Sequence, residues 1–416
     1  MKVLYHHRTR AGDAQGIHIA EIQRAFRLRG HEVVEVALVE AGAEARADSD
    51  GGSARGLSGV ADRLARRLPR AAREGMELAY NLVAYRRLAK AIRRERPDFV
   101  YERYAANTFA GLLAAHRHGL PFVLEVNAPL AREKAEHDGL RFAGVTRAVE
   151  RRLGAGADVT IAVTAVLAAL LEEDGVPAGK AVVMPNGVRR DFCSRPLEAE
   201  AAALRQRWGV PSGAVLAGFI GWFRPWHGLE RLLEAAASPA WQAAGIHLVL
   251  AGDGPARPAL EAAIVEKRLG ERVVLCGTVP RGEVEAALTA FDVAVQPAVT
   301  AYACPMKILE YMAAGRAIVA PGSANVRELL THGETGWLCS GDGSAPSVEE
   351  MKEGILALAG DPELRERLGR AARARIFERG YLWEENARRV EELVLALPRR
   401  ARGGSPKVSF REVGSC

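Results

Sequence analysis

The sequence predicts an α/β protein made of two doubly wound domains in tandem, and three observations lead there. The chain has 416 residues, beyond the size at which a single hydrophobic core stops growing. Two successive stretches alternate short apolar runs of strand length with amphipathic segments of helical period, the pattern of a parallel sheet covered on both faces. Between them lies a charged connector containing Pro196 and Pro211. The expected boundaries are an N-terminal domain over residues 1–195, a linker at 196–212 and a second domain over 213–380. A helix at 381–397 is expected to pack back on the first domain, ahead of a disordered basic tail at 398–416.

The first apolar strand covers residues 2–5. A polar turn containing Gly12 and Gly16 follows, then a helix with Ile19, Ile22, Ala25 and Phe26 on one face, stopped by Gly30. His31 to Val36 alternates as a second strand, which completes a β-α-β unit. Residues 40–59 read as a mobile loop rich in Gly, Ala and Ser. From 60 to 94 apolar residues recur at helical spacing, broken near Pro69, so two basic amphipathic helices are expected. Further strands are expected at 99–101, 121–126, 159–163 and 181–184, with helices between them. The second series has strands at 215–220, 247–251, 273–276, 293–296 and 317–320, again separated by helices.

Composition narrows the function. Hydrophobic residues at 49% and charged residues at 26% are ordinary for a folded protein. No run is long and apolar enough to cross a bilayer, and the first residues are too polar for a signal peptide, so a cytoplasmic location is expected. The five cysteines are scattered, with no zinc spacing. The net charge of +6 invites a nucleic-acid reading. Yet the excess is concentrated between 55 and 96, where twelve basic residues face four acidic ones, and that stretch lacks the aromatic interleaving of a base-stacking surface. It reads equally as a solvated helical face or as a peripheral contact with anionic lipid on the inner side of a membrane. A dinucleotide oxidoreductase is disfavoured, because no G-x-G-x-x-G follows the first strand. Asp48-Ser49-Asp50 falls in the loop, where a metal-binding D-x-D would be of no use.

The chemistry concentrates in the second domain. Pro305-Met306-Lys307-Ile308-Leu309-Glu310-Tyr311-Met312-Ala313-Ala314-Gly315 reads as a short helix that starts at the carboxyl end of a strand, where open α/β sheets bind ligands. Its free N–H groups suit a diphosphate, Lys307 adds a full charge, and Glu310, one turn in, can accept two hydroxyl hydrogen bonds from a ribose. The alternative is an ordinary surface helix. Arg224 follows the first strand of this domain at a βα turn and can hold a phosphate; His227 can add a hydrogen bond, or simply pack with Trp222, Phe223 and Trp226. Gly252-Asp253-Gly254-Pro255 makes a tight turn at the same rim.

Jointly these segments resemble the donor-binding domain of the family 4 retaining glycosyltransferases, and the likeness extends over nearly the whole chain. Met184-Pro185-Asn186-Gly187-Val188 resembles the signature that ends their first domain, and Gly30-His31-Glu32-Val33 the approach to their second strand. The resemblance implies the GT-B fold, two Rossmann-like domains facing each other across a cleft. It implies that Glu310 holds the donor ribose, that Arg224 contacts the diphosphate with His227 where lysine is usual, and that Met306 and Lys307 belong to the same helix start. It implies further that Gly12 and Gly16 bring backbone close to the phosphates and that Val279 contacts the base through its backbone; Gly254, in the rim turn, is counted with these donor-binding candidates.

The chain departs from the family in two places. Tyr302 stands where a second glutamate is frequent, and Asn127 where a histidine often ends the strand of Leu124-Glu125-Val126. The stretch 121–129, with Tyr101-Glu102-Arg103-Tyr104, resembles instead a subgroup of bacterial polysaccharide assembly in which P-x-K-x-x-E-Y-M replaces the double-glutamate pattern. Glu125 and Asn127 are the catalytic candidates; their alternatives are a buried, paired structural carboxylate and a loop cap. The expected activity is transfer of a sugar, with retention, from a nucleotide-sugar to a glycan or lipid-linked acceptor in cell-surface polysaccharide synthesis. No metal and no cofactor are expected, since the nucleotide-sugar is itself the substrate. The competing readings are a non-catalytic nucleotide-sugar-binding partner in a glycosylation complex, and an epimerase of the same fold.

Overall fold

Among the described residues twelve strands form two six-stranded sheets in which every ladder is parallel. The computed structural model describes residues 1–8, 14–37, 69–340 and 345–398. Two compact units divide the chain: Met1–Val163, Leu167–Met184 and Ala387–Cys416 form the first, and Thr164–Val166 with Pro185–Asn386 the second.

In the first unit the strands are β1 (Lys2–His7), β2 (Glu32–Ala37), β3 (Phe99–Arg103), β4 (Phe122–Val126), β5 (Val159–Ala162) and β6 (Ala181–Val183), in the order β2-β1-β3-β4-β5-β6. Val3 pairs with Phe99, Val100 with Phe122 and Val123 with Val159. Helices cover both faces, so the inner strands are buried throughout and read as continuous apolar runs. Helix α1 (Ala14–Leu28) begins earlier than expected, so Gly16 lies in its first turn instead of in a loop. Gly12, like the loop at 40–59, the Asp48-Ser49-Asp50 triplet and the tail from 399, lies outside the described residues.

Helix α2 (Arg70–Glu95) starts directly after Pro69, whose ring fixes φ near −52° and whose missing N–H is no loss at a helix start. The other helix expected at 60–68 falls outside the described residues. The inner face of α2 buries Ala84, Leu88 and Ile92 together with two polar side chains, Glu74 and Asn81. Glu74 accepts from the backbone N–H groups of Arg141 and Phe142, both at 2.8 Å, at the start of helix α4 (Ala143–Gly156). Asn81 Oδ1 accepts from Phe109 and Ala110 N–H at 2.7 and 3.0 Å, at the start of α3 (Ala110–Arg117). Neither helix is capped by its own chain-preceding residue, so α2 satisfies their free donors from outside.

The second unit has β7 (Leu216–Ile220), β8 (His247–Ala251), β9 (Val273–Gly277), β10 (Val293–Val295), β11 (Ala317–Ala320) and β12 (Trp337–Leu338), in the order β12-β11-β10-β7-β8-β9. Its core includes Phe219, Phe223, Trp241, Leu232 and Leu233 of helix α6 (Leu229–Ala236), and Ile355, all without solvent exposure. The buried Trp241 indole donates to the Ile246 carbonyl at 3.0 Å. The linker expected at 196–212 is largely a helix, α5 (Glu198–Arg207), and belongs to this unit. Its charges suit the helix dipole, with Glu198 and Glu200 in the first turn and Arg205 and Arg207 in the last. Only Ala201 and Leu204 are buried, too few to betray a helical period. Helix α8 (Trp383–Ala396) ends the described chain. From Ala387 onward it belongs to the first unit, where Glu391 receives hydrogen bonds from Arg29 at 2.6 Å and His31 at 3.3 Å. Among the described residues no helix is long and apolar enough to cross a membrane.

Candidate functional site

In the second unit the strand order reverses between β7 and β10, the position where doubly wound sheets open a crevice at their carboxyl ends. Helix α7 (Met306–Ala313) begins there. Pro305 stands one residue before the first turn, in place of the side-chain cap the helix lacks, and Gly315 ends it at φ +65°. Ile308, Leu309, Tyr311 and Met312 are fully buried, which turns Met306, Lys307 and Glu310 toward the half-buried rim. The buried Tyr311 hydroxyl accepts from Ile220 N–H at 3.3 Å and fixes the helix to the end of β7.

The loop after β7 approaches α7 closely. Gly221 has φ +143°, which favours glycine, and a Cβ there would stand 2.3 Å from Lys307 Cε and push the tip of the lysine aside. The Lys307 ammonium has no hydrogen-bond or ion-pair partner among the described residues and stands 5.4 Å from the centre of the Phe219 ring. Burial lowers its pKa to about 8, with nearby Glu310 opposing the shift and Arg224 adding to it. Arg224, half-buried, stacks its guanidinium 5.3 Å from the Trp226 ring centre, again with no carboxylate partner among the described residues. Lys307, Glu310 and Arg224 are thus brought together, two cations and a carboxylate at one strand switch.

His227 is placed differently from a lysine. Its Nδ1 accepts a long hydrogen bond from Arg224 N–H at 3.5 Å, and the ring also bonds the Trp222 backbone. Burial and the Lys307 charge push its pKa down to about 3, so the imidazole is neutral. Phe223 packs in the core, whereas Trp222 and Trp226 are 53% and 58% exposed, Trp226 meeting the His227 ring edge-on with centroids 6.3 Å apart. Gly254 (φ +148°) lies against this loop: a Cβ there would meet the Phe223 carbonyl oxygen at 2.6 Å, while Phe223 N–H donates to the Asp253 carbonyl at 2.6 Å. Val279 is half-buried beyond β9.

In the first unit Glu125, on β4, is 3% exposed and fully engaged. His18 Nε2 lies 2.7 Å and Arg103 Nη1 3.3 Å from its Oε1, Asn127 Nδ2 donates to the same oxygen at 2.5 Å, and the Tyr101 hydroxyl donates to Oε2 at 2.6 Å. Burial alone would raise the pKa of this carboxyl; the cationic and hydrogen-bonding neighbours outweigh it and hold the group ionised below the usual range. The His18 pKa is also pushed down, to about 3, by burial and by Arg103 against the pull of Glu125, which leaves the imidazole neutral. The geometry of Glu125 is that of a paired structural carboxylate, with Asn127 half-buried at its outer side. Sequence reasoning did not single out His18, Arg103 or Gly221. The available signal was a set of charged residues, Glu102, Arg103 and Glu125, inside strands otherwise buried on both faces.

Two doubly wound halves, one with cations and a helix start at its strand switch, define the two-domain GT-B class. Two family models match in series: Glycosyltransferase Family 4 over residues 15–192, and Glycosyl transferases group 1 over residues 200–375. The chain belongs to family 4 of the glycosyltransferases. Among its relatives is the alpha-D-kanosaminyltransferase of Streptomyces kanamyceticus, 31% identical over 181 residues that cover 44% of this chain and 45% of the relative. Another is the GDP-mannose-dependent alpha-mannosyltransferase of Mycobacterium tuberculosis, 29% identical over 253 residues, 61% of this chain and 62% of the relative. The matched stretches therefore span less than two thirds of these relatives' own lengths. Among solved structures, Anabaena HepE in complex with UDP superposes with a TM-score of 0.72 at 18% identity, over 95% of this chain and 100% of the other, a likeness of fold.

Proposed function

We propose that the protein transfers a sugar from a nucleotide-sugar to a glycan or lipid-linked acceptor, with retention of anomeric configuration. The observation that carries this reading is the Lys307 ammonium, desolvated and without a hydrogen-bond or ion-pair partner among the described residues, beside Gly221 and Arg224 at the strand switch. A cation held in that state is arranged for an anionic ligand that arrives later, and the start of α7 adds N–H donors for a diphosphate. Glu310 binds the ribose hydroxyls, and Met306 and Val279 border the nucleoside. Gly254 supports the loop that carries Arg224, and neutral His227 stiffens it. Glu125 serves as a positioning residue, since all its partners are already donors to it.

Thermal shift with UDP-, GDP- and ADP-sugars tests the reading, because a ligand at a hundred times its dissociation constant stabilises by about 2.7 kcal/mol. One base class is expected to stabilise, and purified protein is expected to turn that donor over. Stabilisation without turnover would instead favour a non-catalytic partner. The outer face of α2 supports a lipid-proximal acceptor: Met76, Leu82 and Val83 are 57%, 59% and 46% exposed, followed by exposed Arg86, Arg87, Lys90, Arg93 and Arg94. Apolar anchors beside a cationic run suit an anionic bilayer. Flotation with anionic but not neutral liposomes is expected, and equal partitioning would remove that part.

A further inference from the structure

The residues just before α7 are held by side chains from three other parts of the second unit. Thr164 Oγ1 donates to the Tyr302 carbonyl at 2.7 Å and Asn186 Nδ2 to the Cys304 carbonyl at 2.9 Å. Asn325 Nδ2 donates to the carbonyls of Thr300 at 3.0 Å and Ala303 at 2.6 Å. Asn325 is without solvent exposure, and both hydrogens of its amide are used, so a reversed amide would set its oxygen against two carbonyl oxygens. Its own oxygen accepts from the Ser323 hydroxyl at 2.8 Å. Ser323 stands at the N-cap of the short helix Ala324–Arg327, where a serine ordinarily accepts from the first free N–H groups; here its side chain makes no such bond. The hydroxyl that would cap this helix holds Asn325 instead. Helix stability alone would favour the cap, so the orientation of Asn325 serves something beyond that helix.

The geometry points to Asn325, oriented by Ser323, as a positioning residue for the candidate donor site: it ties Thr300 to Ala303 and so fixes where the chain enters α7 and where Lys307 stands. The path is short. Ala303 N–H donates to the Thr300 carbonyl at 3.1 Å and closes a turn whose two ends Asn325 bridges. Only Cys304 and Pro305 separate that turn from Met306, the first residue of α7, and Cys304 is itself tied by Asn186. Asn325 acts through this backbone and meets no ligand, since its side chain is buried and both its polar atoms are engaged. A helix start holds an anion only when its N–H groups and the neighbouring cation converge on one point. Displacement by about 0.5 Å is enough to impair such a constellation.

The binding arm rests on the nucleotide-sugar reading; the exchange arm does not. Calorimetry with UDP, GDP and ADP finds the diphosphate that wild-type protein binds. Asn325→Asp replaces two donated hydrogens by an acceptor, and at pH 8 its affinity for that diphosphate is expected to be about tenfold below wild type. At pH 6 the buried carboxyl takes up a proton and can donate to one of the two carbonyls, so the ratio of wild-type to variant affinity should narrow. Taking the ratio at each pH removes the titration of Lys307, and the Cys304 thiol, pushed up to about 12 by burial, stays protonated throughout. Ser323→Ala should weaken the same diphosphate by a smaller factor that does not change with pH, and it carries the decision if Asn325→Asp does not fold. Wild-type affinity in a folded variant with only its melting temperature lowered would make Asn325 structural and overturn the assignment. A deficit in Asn325→Asp that pH leaves unchanged would overturn it too. Independently, hydrogen exchange at Ala303 N–H should be slow in wild type and faster in both variants; equal exchange would overturn the tie even if transfer is confirmed. If no diphosphate binds wild type while Ala303 exchange responds to the variants, the nucleotide-sugar reading fails and the tie between Asn325 and the turn stands.

Discussion

Lys307 makes ligand binding and folding respond to pH in opposite directions. Its pKa is lowered from 10.5 to about 8 in the folded chain, so between those values the unfolded chain binds more protons and folding stability from this group rises with pH. The charge that would meet a diphosphate is lost over the same range. Donor affinity is thus expected to fall as pH rises through about 8 while this contribution to stability grows; calorimetry and urea unfolding at pH 7 and 9 read the two trends, and Lys307→Met should abolish both. Glu310→Gln should weaken the same donor about tenfold to a hundredfold, the worth of charged hydrogen bonds, with the melting temperature nearly unchanged. A fall in melting temperature with intact affinity would make Glu310 structural. That Lys307, Glu310 and Arg224 lie together was legible because a helix start and a βα turn at the carboxyl ends of neighbouring strands share one rim of the sheet. The hydrogen-bond set around Glu125 was not. His18 and Arg103 lie 85 positions apart and meet only through the packing of α1 on the sheet, which no periodicity announces.

Elements were legible in proportion to their burial. Strands covered on both faces stand out as apolar runs, so His247–Ala251 and Ala317–Ala320 were readable to the residue. The two-residue β12 carries no period, and α5 hides among charges. Helix α2 shows a further limit: its polar residues at 74 and 81 interrupt the apolar face, yet they cap α4 and α3 from outside. Asn81→Ala leaves two backbone donors at the start of α3 without their acceptor and should cost about 1–3 kcal/mol in urea unfolding. Leu82→Ala on the exposed side of the same helix should leave stability within about 0.5 kcal/mol and reduce liposome binding instead. The two substitutions separate what α2 does for the fold from what it offers outward.

At the scale of the whole molecule, the proposed site meets its phosphates with Lys307, Arg224 and a helix start, so saturating EDTA is expected to leave turnover intact. Full loss restored by magnesium or manganese would contradict that. The C-terminal helix α8 carries a different consequence. Ala387, Val390 and Val394 are buried in the unit that otherwise ends at Met184, so the ribosome must complete the entire second unit before the first receives its last segment. Synthesis order and folding order are thereby uncoupled: the unit begun first is finished last, and until then its Arg29 and His31 wait for Glu391. A nascent chain stalled before Ala387 should show protease-resistant second unit and a sensitive first one, with resistance of the first gained only when the final helix emerges.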